Sequence, residues 1–169
     1  LTTDQLSPDT TMNAITEAVA LGRAGDIESA RTRLLEIWSE IGTAGDRLHR
    51  CALAHYLADL YDDPAQALAW NIRAFDAADT LSDDRVQQHH SSLQVAGFYP
   101  SLHLNLADDY RRLGSWEAAT EQIIAARAHL HVLPDDAYGA MIRTALDEVA
   151  AAITQRSTAR RPSAPGPQS

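Results

Sequence analysis

Apolar residues recur along this chain every three or four positions, and turn-forming residues interrupt the recurrence at intervals. Met12, Ile15, Val19 and Gly22 share one helical stripe behind Ser7-Pro8, a serine N-cap followed by proline at the first helical position. Gly25-Asp26 supplies a turn and the next cap. Ile27, Ala30, Leu34, Ile37, Trp38 and Ile41 then form a second stripe, which Gly42 ends. A third helix is predicted from Asp46 with Leu53, Tyr56, Leu57 and Leu60, and a fourth from Asp63-Pro64 with Leu68, Ile72 and Phe75. Ser82-Asp83-Asp84 opens a further stretch to Leu113, in which Pro100 predicts a kink or break around Gly97–Pro100. Trp116, Ala119, Ile123, Ala126 and Leu130 follow Gly114-Ser115. The last helix runs from Pro134-Asp135-Asp136 through Tyr138, Met141, Ile142, Ala145, Leu146, Val149 and Ile153. No sustained alternation and no Asn-Gly or Asp-Gly turn argues for a strand, so the fold class is all-α.

Composition narrows the function. All 14 basic residues are arginine and the formal net charge is −9. Residues 1–155 hold 11 arginines against 23 acidic residues, a net of −12, which repels phosphate backbones and speaks against nucleic-acid binding. No apolar run approaches the roughly 20 residues of a membrane span, and the N-terminal residues show no secretory pattern. With a single cysteine, Cys51, these features fit a reducing cytoplasm. Lysine is absent while alanine and arginine abound, as expected of a GC-rich genome such as an actinobacterium's. Residues 157–169 contain proline, serine and arginine but almost nothing apolar, so this tail is expected to be disordered and solvated.

The helix pairs also resemble one another. Gly25–Ala30, Asp62–Ala67 and Gly114–Ala119 each place a turn five positions before a small residue. Ala30 and Ala67 are 37 residues apart, Ala67 and Ala119 are 52 apart, against a period of about 34 for tetratricopeptide repeats. The excess in the second interval corresponds to the segment Ser82–Tyr99. In the third unit Leu106, Ala107, Tyr110, Gly114, Ala119, Ile123 and Ala126 fall where that family places its large, small, aromatic and turn residues. The first unit matches more weakly through Ala18, Leu21, Gly25, Ala30, Leu34 and Ile37. The second departs at His55, where a small residue is expected, and at Asp62 in place of the turn glycine.

The chain thus resembles the tetratricopeptide repeat family. The resemblance implies a short α-solenoid of antiparallel helical hairpins over about 8–42, 46–80 and 82–131, capped by a helix over about 135–155, in one domain spanning 1–156. It further implies a concave surface lined by the first helix of each hairpin: Met12, Ile15 and Val19; His49, Ala52, Tyr56 and Asp59; Ser101, Leu104, Asp108, Arg111 and Arg112. The lysine-based clamp that some members use for a partner's terminal carboxylate is not reproduced. The expectation is a non-catalytic scaffold that binds a protein or peptide through Tyr56, Asp59, Leu104, Asp108, Arg111 and Arg112, without a cofactor.

Two other readings use different residues. His55, His90 and His103 are the candidates for a metal or small-ligand sensor, or for an enzyme, and only a kink at Pro100 or a neighbouring helix can bring them together. A homo-oligomer, such as a dimer, would use Ser82–Tyr99 or the last helix. The bland alternative for the histidines is packing, capping or surface exposure, and for Cys51 it is helix packing. Asp62-Asp63, Asp83-Asp84 and Asp135-Asp136 sit at predicted helix starts, where carboxylates complement the helix dipole. Asp108-Asp109 lies mid-helix beside Arg111 and Arg112, and reads as an exposed face with local ion pairs. Packing is the default for Trp38, Trp70 and Trp116; Trp70, offset from its helix stripe, is a candidate contact if it is exposed.

Overall fold

Five aspartates set where the helices begin in the computed structural model, which describes residues 9–81 and 95–164. Asp9, Asp26, Asp46, Asp63 and Asp136 each accept a hydrogen bond from a backbone N–H of the first turn, at 2.9–3.2 Å. Each such cap contributes about 1 kcal/mol. The helices are α1 Thr10–Arg23, α2 Ile27–Ile41, α3 Arg47–Ala58 and α4 Pro64–Ala78, then α5 Tyr99–Arg112, α6 Trp116–Ala128 and α7 Ala137–Thr154. Short 3-10 turns lie at Val95–Phe98 and Leu130–Val132, and the described residues form no strand. The Ser7-Pro8 and Asp83-Asp84 signals, with His89 and His90, lie outside the described residues. The break expected at Gly97–Pro100 is the passage from 3-10 turn to α5. There Pro100 occupies the first turn, where its missing N–H has no intrahelical partner to lose.

Gly25, Gly42 and Gly114 end their helices with φ of +98°, +63° and +77°, the region L side chains avoid. A Cβ at Gly114 would meet nothing within 4 Å. Gly114→Val is therefore expected to cost about 1–2 kcal/mol through backbone strain alone. A denaturant midpoint equal to that of the wild type would refute the assignment of this turn.

Packing runs along the chain. α1 packs on α2, α3 on α4 and α5 on α6, each pair joined by a short turn as in an antiparallel hairpin. α3 also touches α1 and α2, α4 rests on α5, and α7 lies against α5 and α6. One core gathers Met12, Ile15, Leu34, Ile37, Leu53 and Leu57. A second joins Leu104, Ile123, Ile142, Leu146 and Val149. An alanine-rich seam of Cys51, Ala54, Ala74, Ala77, Ala78 and Leu102 links α3, α4 and α5. Cys51 belongs to that seam, and burial pushes its thiol up to about 12.

Three details bear on the sequence expectation. α4 buries Ala67, Asn71, Ala74, Ala77 and Ala78, and leaves Ile72 47% exposed. Small side chains let the helix axes approach, which outweighs the size of an isoleucine on the outer face. Trp70 is half-buried in an edge-to-face contact with Trp38, ring centroids 5.1 Å apart, and Arg73 covers its ring. It is a packing residue and not an exposed contact. Finally, the first eight tail residues are laid against the body. α7 ends at Thr154, Arg156 two residues on turns the chain back with a φ of +49°, and Ser157 N–H closes the turn on Ala152 O. Residues 157–164 then cross over α5, as described below.

Candidate functional site

The exposed edge of the α7 stripe, Tyr138 and Met141, faces α5 and α3 across a groove of about 500 Å³. Both residues are large and open to solvent, at 42% and 57%. Leu104 and Ile142 line the apolar side, while His55, Asp59, Asn105 and Glu148 supply polar groups. A cavity of about 330 Å³ lies on the other side of Asp59, bordered by Tyr56, Val19 and Leu60. Asp59 also reaches a narrow polar cleft with Asn71, Asp108, Asp109 and Arg112. It is thus common to all three spaces. Its carboxylate makes no side-chain hydrogen bond among the described residues. Burial raises its pKa, opposed by the nearby His55 and Arg160.

A line of hydrogen bonds floors the groove. Asn105 Nδ2 approaches His55 Nδ1 at 3.2 Å and donates to Asn71 Oδ1 at 3.4 Å; Asn71 Nδ2 donates to Asp109 Oδ2 at 2.7 Å. The line ties α3, α5 and α4 together. Asp109 is 7% exposed. Burial lifts its carboxyl to about 7, the Asn71 hydrogen bond pulls it down, and the Asp108 charge pushes it up. The local ion pair expected beside Asp109 does form, between Asp108 and Arg111 at 2.6 Å, but it lies inside the protein and not on an exposed face.

Arg111 is the largest departure from the expected site. Its side chain is fully buried. Nε and Nη2 both donate to Asp108 Oδ1, at 2.9 and 2.6 Å, while Nη1 donates to the carbonyls of Ser157 and Ala159 at 2.5 and 2.9 Å. With its donors engaged inside the protein it cannot serve as an exposed partner contact. Arg112 is also largely sunk, at 15% side-chain exposure, but points to the narrow cleft and donates to Asp62 O at 2.8 Å. Asp108 receives a second arginine, Arg161, at 3.4 Å, and Arg161 also donates to Glu148 at 2.8 Å.

Of the residues expected to meet a partner, Asp59 and Leu104 border the main groove, Tyr56 the neighbouring cavity, and Asp108 and Arg112 the narrow cleft. Met12 and Ile15 belong to the core and line no groove. Tyr138, Met141 and Glu148 were not foreseen at the site. The signal for the first two was present, because the α7 stripe is wider than one packing face requires.

The histidine candidates do not converge. His55 faces the groove. His103, two positions before Asn105, projects to the opposite side of α5, where Nδ1 meets Gln122 Oε1 at 2.8 Å. There it stacks with His129 and Tyr99, at ring centroid separations of 5.8 and 6.2 Å. Stacked rings present their faces to one another and not their nitrogens to a common point. Burial, then the charges of His103 and His131, lowers the His129 pKa. His90 lies outside the described residues. No group of three or more metal-ligating side chains is assembled among the described residues, and no helix among them is long and apolar enough to cross a membrane. No protein family, no curated protein and no solved structure matches this sequence.

Proposed function

We propose that the protein is a tetratricopeptide-like scaffold that binds an extended peptide or protein segment in the groove between α3, α5 and α7. The observation that carries this reading is the groove itself: about 500 Å³, one wall of exposed apolar side chains and the other of polar groups fixed by their own hydrogen bonds. Such a surface offers apolar area for affinity and fixed polar groups for register. The hairpin stacking supports the family resemblance. Ala107 and Ala119 are fully buried where α5 meets α6, as are Ala18 and Ala30 where α1 meets α2. In the second unit Ala54 and Ala58 are buried beside His55, which turns to the groove.

Binding is favoured over catalysis because Asp109, whose carboxyl titrates near neutrality, is 7% exposed, is held by Asn71 and does not line the main groove. The test is selection of peptides from a random display library on the full chain. Selected peptides should lose about tenfold in affinity, roughly 1.4 kcal/mol, on Met141→Glu, without a change in melting temperature. Failure to select any peptide, or affinity indifferent to Met141→Glu and Tyr138→Glu, would reject this use of the groove.

A further inference from the structure

We infer that the partner segment carries adjacent arginines, and that residues 157–164 of this chain occupy the site in cis as a stand-in for it, which deepens the peptide-binding reading above and depends on it. The mode of attachment carries the inference. Buried Arg111 reads the backbone of the segment through the carbonyls of Ser157 and Ala159. Carboxylates on the body read its side chains: Arg160 donates to Asp62 at 3.0 Å, and Arg161 to Asp108 and Glu148 at 3.4 and 2.8 Å. Ser163 adds a bond to Glu148 at 2.8 Å. Main-chain contacts with pockets for particular side chains are how grooves hold extended peptides. Pro162 follows Arg161 in a turn that Ala164 N–H closes on Arg161 O at 3.1 Å, which ends the held stretch.

The charges agree. Residues 1–155 carry a net of −12, and the three arginines beyond them are the only charges in the segment that follows. Arg161 and Ser163 border the main groove, and Arg160, Arg161 and Ala164 close the narrow cleft over Asp59, Asp108 and Asp109. Both guanidinium side chains are largely sunk, at 18% and 10% exposure. Of their three carboxylate partners, Asp62 and Glu148 are half open to water, at 58% and 43%, while Asp108 is 14% exposed and meets Arg161 only at 3.4 Å. Such pairs hold weakly and yield to salt. The segment is therefore displaceable by a partner of the same chemistry, while its tether gives it a high local concentration that the partner must overcome.

The experiment uses full-length protein and a fluorescent peptide of residues 157–164, followed by anisotropy at low ionic strength. The peptide is expected to bind the Arg160→Ala/Arg161→Ala protein about tenfold or more tightly than the wild type, because the cis competitor is weakened. A peptide with both arginines replaced by alanine should bind neither protein, and added salt should weaken the first interaction. On the wild type, excess peptide should speed amide hydrogen exchange within 157–164. Equal affinity for both proteins, indifference to loss of the peptide arginines, or unchanged exchange overturns the inference. If library-selected peptides bind in a Met141-dependent way while the 157–164 peptide does not, only the arginine requirement falls. If neither binds, the groove reading falls with it.

Discussion

Replacing Arg111 by alanine is expected to destabilise the protein by about 3 kcal/mol or more, the usual cost of removing one partner of a buried ion pair. The side chain is fully buried and its guanidinium joins α5 to the returning tail. Its loss leaves Asp108, 14% exposed, with Arg161 at 3.4 Å as its remaining arginine. It also strips the carbonyls of Ser157 and Ala159 of their donor and opens a void where the aliphatic stem lay. For a chain of this size the melting temperature should fall by roughly 10 °C. Arg111→Lys should recover little, since an ammonium lacks the planar fork that meets one carboxylate and two carbonyls at once. Arg112→Ala is the contrast. That arginine pairs with an exposed aspartate at 3.7 Å and donates to one carbonyl, so its loss should cost about 1–2 kcal/mol, less than that of Arg111. Thermal melts of the three variants decide the matter, and an Arg111→Ala protein within 1 kcal/mol of the wild type would show that the buried fork does not hold the tail.

The same pair of arginines shows where sequence reasoning reaches its limit. Both stand at the end of an amphipathic helix, and the family resemblance puts both on the concave surface. Which of them turns inward depends on acceptors that arrive from 46 and 48 residues further along the chain. The tail was unreadable for the matching reason. Its lack of apolar residues predicts disorder, yet its backbone carbonyls satisfy a buried cation, and composition does not report that role.

Local features were legible because their causes are local. Asp26, Asp46 and Asp63 cap helices within three residues of themselves, and Gly25, Gly42 and Gly114 take the positive φ that a tight stop requires. The hairpin phasing also brought Asp59 and Leu104 to one groove. The polar floor was not legible. His55, Asn71, Asn105 and Asp109 come from three helices, and separations of 34 to 50 residues leave no pattern in a single sequence. α4 was misoriented because hydrophobic size was weighed above close approach, and the buried face went to alanines and Asn71.

Asp109 provides the second large effect, in the pH dependence of stability. Its carboxyl titrates at about 7 in the folded protein, raised first by burial, against about 3.9 in an unfolded chain. Between those values the folded state holds a proton that the unfolded state has released. Stability is therefore fully supported below pH 4 and is lost as pH rises through 7. The difference of about three pKa units amounts to at most ~4 kcal/mol. The raised pKa of Asp59 acts in the same direction, whereas Arg112 beside Asp109 opposes it. Asp109→Asn keeps the volume and the acceptor for Asn71 Nδ2 while removing the ionisation. The variant should match the wild type near pH 4 and exceed it at pH 8 by about 2–4 kcal/mol, with a flatter curve between. Urea denaturation across that range measures the difference directly, and parallel curves would show that Asp109 is solvated rather than enclosed. Asp109 also borders the narrow cleft that Arg160 and Arg161 close. A cationic segment should then gain electrostatic attraction over the same interval in which the fold loses stability. Peptide affinity and resistance to urea are thus expected to change in opposite directions between pH 6 and pH 8, and Asp109→Asn should remove this groove-side contribution together with the stability slope.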